Sequence, residues 1–350
     1  MGAAIMNMLN WRVEIPNVKL NNGRDMPALG YGTWMGVNSQ FVFETTEIPK
    51  MEDCLSYAID IGYRHVDTAH LYRVEPEIGA VINKKIKEGV CSREDLFVTT
   101  KVWQDHHRPE AVVESCRASL RRMNLDYVDQ LLMHWPMSIS DEGVDEKIDY
   151  VETWRGFEKV LEKGLAKSIG VSNFTVDQLK RLLANCKTPP ATNQVEINLT
   201  LGQKELVDFC QSQKIVVVAY SPFGRMVPSR ETPNSPEPKL NNPTMVAIAK
   251  KHGKTVTQVT LRYLYQRGIV TIPKTVTKSR VLENASIFDF TLDKEDVAAI
   301  AKFDIGSRTV RPIFWQDFTN YPFDKVPLEK NMEIPPAFLK WKNGKNLNID

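Results

Sequence analysis

"GYRHVDTAHLY", Gly62 to Tyr72, holds a short apolar run that ends on a carboxylate, Asp67, with a tyrosine, Tyr72, five residues later. A buried strand rarely finishes on an ionisable residue unless that end faces a site. The same kind of run recurs along the chain. The runs are "ALGYG" from Ala28, "YRHVD" from Tyr63, "LFVTTK" from Leu96, "YVDQLLM" from Tyr127, "KSIGV" from Lys167, "ATNQVE" from Ala191, "IVVVAY" from Ile215 and "GIVTIP" from Gly268. Between them lie stretches such as "MEDCLSYAIDIG", "PEAVVESCRASLRRMNL", "TWRGFEKVLEKG" and "VTQVTLRYLYQRG", whose apolar residues return every three or four positions. That spacing predicts amphipathic helices. Near-continuous apolar strands alternating with helices predict a parallel sheet covered by helices. Eight such units over roughly 250 to 300 residues predict a closed (β/α)8 barrel.

The competing architecture is an open doubly wound sheet. Its dinucleotide form expects G-x-G-x-x-G after the first strand, and "GYGTWMG" supplies Gly30 and Gly32 but Met35 in the third place. Upstream, "VEIPNVKLNNGRDMP" alternates and turns at Asn22-Gly23, which predicts a β-hairpin capping one end of the barrel. The expected boundaries are an extension over 1–16, a single barrel over 17–323 and a tail over 324–350. The Pro- and Lys-bearing composition of the tail predicts partial disorder.

Composition narrows the function. With 350 residues, 42% hydrophobic content and a net charge of +2, the chain has a large core and no basic footprint for nucleic acid. Five scattered cysteines without a C-x-x-C pair predict neither a disulfide framework nor a structural zinc site. No apolar run approaches the ~20 residues of a bilayer span, and the N-terminus lacks a basic leader. A soluble, cytoplasmic protein without nucleic-acid or membrane partners is expected.

In barrels of this kind chemistry gathers at the carboxyl ends of the strands. Those points hold Trp34, Asp67, Lys101, His134, Ser172 with Asn173, Gln194, Tyr220 and Lys274. Each alone has an ordinary structural explanation, but together on one rim they make a site. Asp67, Lys101, Tyr72 and His134 suggest a proton relay. A carboxylate keeps a buried lysine charged, the ammonium lowers the pKa of a neighbouring phenol, and the histidine orients a substrate oxygen or helps move the proton. No G-x-S-x-G elbow and no H-E-x-x-H occurs, so a bound cofactor rather than a serine or a metal is expected to carry the hard step.

"GYRHVDTAHLY", "TTKVW", "LLMHWP", "IGVSNF", "NQVEIN", "YSPFG" and "IPKTVTKSRVLEN" together closely resemble the aldo-keto reductases, in order and at comparable spacing, from about Val18 to Phe323. The resemblance implies a (β/α)8 barrel that reduces aldehydes or ketones with NADPH, without metal, usually as a monomer. Its catalytic tetrad would be Asp67, Tyr72, Lys101 and His134; the histidine matches the carbonyl reductases rather than the double-bond reductases, which carry Glu there. Thr33, Trp34, Ser172, Asn173, Gln194 and Tyr220 would hold the nicotinamide end, with Ser221 and Phe223 along the pyrophosphate and ribose. Lys274 and Arg280 would bind the 2′-phosphate, with Thr275, Val276 and Thr277 also on the cofactor, and Glu283 and Asn284 would hold the adenine. Trp34, Tyr72, His134 and Trp135 would line the substrate pocket.

The departures concern the pocket. "MGVNSQFVFETTEIPK" after Trp34 is longer than in the aldose reductases and brings Phe41 and Phe43 toward the rim, while "WPMSISDEGVDEKIDYVE" is shorter than theirs. Phe314 or Trp315 could add a flap, and Arg225 stands where many relatives carry a small residue. The longer first loop resembles insect members of the family that reduce 3-oxo-ecdysteroids. A non-catalytic role as a nucleotide-sensing or structural partner of the same fold is the alternative, and some relatives serve that way.

Overall fold

Why the opening stretch turns where it does is visible at Gly62. Helix α1 (Ile48–Ile61) ends there in the left-handed region, φ +119°, with the Gly62 N–H returned to the helix carbonyls; a side chain would also strike Val13 O at 2.5 Å. The chain then runs directly into strand β4 (His65–Asp67). The computed structural model describes residues 12–37, 43–228, 230–327 and 333–338.

Strands β1 (Asn17–Lys19) and β2 (Asp25–Pro27) pair antiparallel around a turn through Gly23, the predicted hairpin. The barrel strands follow: β3 (Tyr31–Gly32), β4 (His65–Asp67), β5 (Phe97–Val102), β6 (Gln130–Met133), β7 (Ile169–Ser172), β8 (Thr192–Glu196), β9 (Val216–Tyr220) and β10 (Val270–Thr271). All neighbours pair in parallel, in chain order. Leu29 bridges Thr271, and Gly30 N donates to Thr271 O at 2.8 Å, which closes the ring. Closure needs a bare backbone at Gly32, because a Cβ there would sit 2.5 Å from Ile272 O.

Around the sheet lie α1, α2 (Glu75–Lys87), α3 (Pro109–Met123), α4 (Tyr150–Glu162), α5 (Val176–Leu183), α6 (Lys204–Ser212), α7 (Pro243–His252), α8 (Val256–Gln266), α9 (Lys278–Ala285) and α10 (Lys294–Ala301). Capping boxes at Thr175, Thr255 and Asp293 start three of them. The main core lies between sheet and helices. A small second core, Leu20, Met26, Phe97, Ala191, Val218 and Val270 among its members, plugs the barrel floor under the hairpin. A third, aromatic cluster crowns the opposite end around Trp103, Trp135 and Trp315.

Most of the expected extension and Phe41 lie outside the described residues. Of the expected tail, residues 324–327 and 333–338 are described, and there Ile334 and Phe338, on either side of two prolines, pack against the aromatic crown. Among the described residues no helix is long and apolar enough to cross a membrane.

Candidate active site

Strand ends aim the tetrad at one point. Asp67 closes β4, Lys101 lies in β5, and His134 follows β6, so three adjacent parallel strands present them side by side. Tyr72 is delivered by a single 3-10 turn, His70–Tyr72. Lys101 Nζ donates to Asp67 Oδ1 at 2.5 Å and to Thr68 O at 2.9 Å. It lies 4.8 Å from the centre of the Tyr72 ring, over its face. The His134 ring stands edge-on to Tyr72, centroids 5.7 Å apart. The four residues expected to act together therefore do meet.

Electrostatics differ from the simple relay. Burial pushes the Tyr72 phenol well above its ordinary pKa, and Asp67 and then Tyr220 push the same way. That is opposite to the lowering expected from Lys101 alone. Desolvation wins because the partly buried ring is packed between Trp34 and His134, while much of the ammonium's charge is already matched by Asp67. Lys101 itself is pulled below its usual pKa by burial, against which Asp67 works. Burial first, then Lys101, holds His134 well below its ordinary pKa, so it is neutral. The consequence is a phenol that stays protonated, beside a neutral imidazole. Such a phenol can still protonate an alkoxide, which is the stronger base.

The residues expected around a nicotinamide form one connected patch beside the tetrad. Tyr220 OH donates to Asn173 Oδ1 at 2.7 Å, Asn173 Nδ2 to His134 O at 3.0 Å, Ser172 Oγ to Gln194 O at 2.7 Å, and Gln194 Nε2 to Asp67 Oδ2 at 2.7 Å. Asn173 and Ser221 hold left-handed backbone, φ +65° and +48°, a local strain that concentrates at functional sites. Thr33, fully buried, spends its hydroxyl on Asp67 O at 2.9 Å and so braces the strand end.

Farther round the rim, the N-cap of α9, Thr277, makes no side-chain cap bond, with Arg280 exposed in the first turn and Lys274 half-buried just before it. Burial lowers the Lys274 pKa. Both cations thus stand at the N-terminal end of α9, where the helix dipole is positive. Thr275 Oγ1 accepts from Thr277 N and Thr275 O from Tyr31 OH, which set the shape of that corner; Val276 packs against the core. Glu283 accepts from Thr255 and Thr257 hydroxyls, each at 2.6 Å, and Asn284 is buried beside it. Phe223 and Arg225 stand in the loop after β9, both lining a small cavity of about 10 Å³.

The rim beside the tetrad is aromatic. Trp34 packs on Tyr72 at 5.0 Å and on Phe43 at 5.8 Å, and Trp135 sits edge-on to Trp315 at 6.2 Å. Two contributors were missed in the sequence. Trp103, one residue past β5, stands 5.0 Å from His134; its place after Lys101 in "TTKVW" was the available signal. Phe338 stacks on Phe314 at 5.5 Å, its carbonyl accepts from Trp103 Nε1 at 3.4 Å, and Ala337 O accepts from Arg73 Nη2 at 3.5 Å. Enclosure lowers the Arg73 pKa to about 9. No pattern in the tail announced that contact. Among the described residues no cluster of histidine, cysteine and carboxylates could hold a metal.

A closed parallel barrel with Asp67, Tyr72, Lys101 and His134 gathered at the carboxyl ends of its strands has the plan of a barrel enzyme. Residues 28–305 match the model of the aldo/keto reductase family. The chain is 42% identical over 310 residues to aldo-keto reductase AKR2E4 of Bombyx mori, covering 89% of this chain and 99% of that one. It is 40% identical to aldo-keto reductase family 1 member C13 of Mus musculus over 321 residues, 87% of this chain and 97% of the relative. Among solved structures, silkworm (Bombyx mori) aldo-keto reductase AKR2E5 complexed with NADPH superposes with a TM-score of 0.92 at 69% identity, over 95% of this chain and 100% of that one. The protein belongs to the aldo/keto reductase family, and is accordingly an oxidoreductase.

Proposed function

We propose that this protein uses NADPH to reduce an apolar aldehyde or ketone, 3-oxosteroids such as 3-dehydroecdysteroids included, to the alcohol, with Tyr72 as proton donor. The observation that carries the reading is the convergence of Tyr72 with Lys101 at 4.8 Å and His134 at 5.7 Å, with Asp67 behind, at the carboxyl ends of the strands.

The residues present fit the cofactor. Ser172, Asn173 and Gln194 offer the amide and hydroxyl groups that would hold a carboxamide, Tyr220 a ring to stack on, Ser221 and Phe223 a path for pyrophosphate and ribose. Lys274, Thr277 and Arg280 would bind a 2′-phosphate, and Glu283 and Asn284 the adenine. When bound, NADPH supplies the hydride taken up by the carbonyl carbon. On the protein side, His134 orients the carbonyl oxygen, Tyr72 gives that oxygen its proton, and Lys101, fixed by Asp67, stabilises the phenolate left behind. Trp34, Trp103 and Trp135 exclude water and favour apolar substrates. In the same reading residues 17–323 are one catalytic unit, acting as a monomer in the cytoplasm, where five free thiols are at home.

Tyr72→Phe tests it. Turnover should fall by about 10²- to 10⁴-fold while NADPH fluorescence still reports binding. A wild-type chain that binds NADPH but oxidises it with no member of a panel of short aldehydes, sugars, fatty aldehydes and 3-oxosteroids would point to the nucleotide-sensing role instead.

A further inference from the structure

The geometry points to His70 as a positioning residue for Tyr72, held by a clamp of Arg122 and Glu75 that also braces the strand carrying Lys101; this rests on the reductase reading above. His70 opens the three-residue turn that ends on Tyr72, so imidazole and phenol are carried by one short segment. Arg122 Nη2, from α3, lies 2.8 Å from His70 Nδ1. A guanidinium only donates, so Nδ1 must be the acceptor and the imidazole proton sits on Nε2. The same guanidinium grips Glu75, Nε to Oε2 at 2.7 Å and Nη2 to Oε2 at 2.6 Å. Glu75 is 1% exposed, and its other oxygen accepts from Thr100 Oγ1 at 2.6 Å. Thr100 immediately precedes Lys101 in β5.

One buried carboxylate thus ties the donor's turn to the strand of its lysine. The link is made of charge-assisted, planar contacts, which hold geometry more tightly than apolar packing. Burial and Arg122 keep the His70 pKa below its usual value, with Glu75 and Asp105 opposing and His106 adding to the depression, so the ring stays a neutral acceptor. The His106 ring is 5.9 Å away on the turn after β5. None of His70, Arg122 and Glu75 belongs to the tetrad. Proton transfer tolerates little misplacement of the donor, so this clamp should show in rate rather than in cofactor affinity.

The experiment compares His70→Leu, which removes the acceptor, with His70→Asn, whose amide oxygen falls close to the place of Nδ1. Hydrogen exchange of the peptide spanning Ala69 to Arg73, kcat with a small aldehyde, and the NADPH dissociation constant are measured for each. In the leucine variant exchange should quicken and kcat fall, each by about tenfold, with NADPH affinity held within about twofold; asparagine should reverse both changes. Arg122→Gln should repeat the leucine signature, and decides the matter if His70→Leu does not fold. The inference is overturned if exchange and kcat match wild type in the leucine and glutamine variants, or if asparagine is as impaired as leucine. Should the wild type reduce no carbonyl at all, the reductase reading fails, and the exchange arm alone still decides whether His70 holds the turn.

Discussion

Asp67 divides its two oxygens between partners of different kinds, the Lys101 ammonium on one and the Gln194 amide on the other. Both Asp67 and Lys101 are 1% exposed, so neither charge can turn to water if its partner goes. Breaking a buried pair from one side leaves an uncompensated charge and costs about 3–5 kcal/mol, whereas removing both charges costs much less. Lys101→Met should therefore lower the urea unfolding free energy by an amount in that range, and adding Asp67→Asn should recover a clear part of it. Both variants should be inactive as reductases. A double variant less stable than the single would show that the pair's charges are not what holds this part of the rim.

At the scale of elements, two segments set what the rim accepts. Helix α9 begins uncapped beside Lys274 and Arg280. Arg280→Ala should weaken NADPH binding by about ten- to a hundredfold, the worth of a charge-assisted contact, and leave NADH nearly unchanged, as read by fluorescence titration of both. The tail segment Glu333–Phe338 is the second. Phe338→Ala opens the aromatic crown beside Trp103, so kcat/KM should rise for 3-oxosteroids relative to short aldehydes; an unchanged ratio would mean that the segment only covers the crown. The contrast between these segments shows what a sequence reveals. Strand ends were legible because period and barrel geometry dictate where Asp67, Lys101 and His134 must emerge. The α9 corner was marked only by the family resemblance of "IPKTVTKSRVLEN". Helices α2, α7 and α10 were not singled out, although Pro at the start of the first two and an Asp293 capping box in the third were there to be read. The docking of Phe338 depends on contacts more than 200 residues away in sequence, to Trp103, which no local pattern encodes. The direction of the Tyr72 shift was likewise hidden, since enclosure is a property of the assembled rim.

Across the whole molecule, burial keeps histidines neutral at separate places in the barrel. His65 lies within the barrel, against Pro27 O at 3.3 Å, and burial lowers its pKa from 6.5 to about 4. His107, in the loop before α3, is pushed down from 6.5 to about 3 by burial, and His134 on the rim is pushed well below 6.5. In the unfolded chain each would titrate at its ordinary value. Above pH 6.5 both states are neutral at these positions and stability is unaffected; below it the unfolded chain takes up protons that the folded one refuses, so acid favours unfolding. Each such histidine contributes a slope of about 1.4 kcal/mol per pH unit once its unfolded form is fully protonated, ending only as pH falls through the folded pKa. Buried Asp129 works in the other direction, its pKa raised by burial, but only over the carboxylate range. The urea midpoint should thus be nearly level from pH 8 to pH 7 and fall steeply between pH 6 and pH 5. His65→Gln, whatever it does to absolute stability, should make that fall shallower by about one proton's worth of slope. A midpoint equally flat on both sides of pH 6.5 would mean that these imidazoles are not sealed from solvent, and that the barrel floor and rim are open to water where the packing closes them.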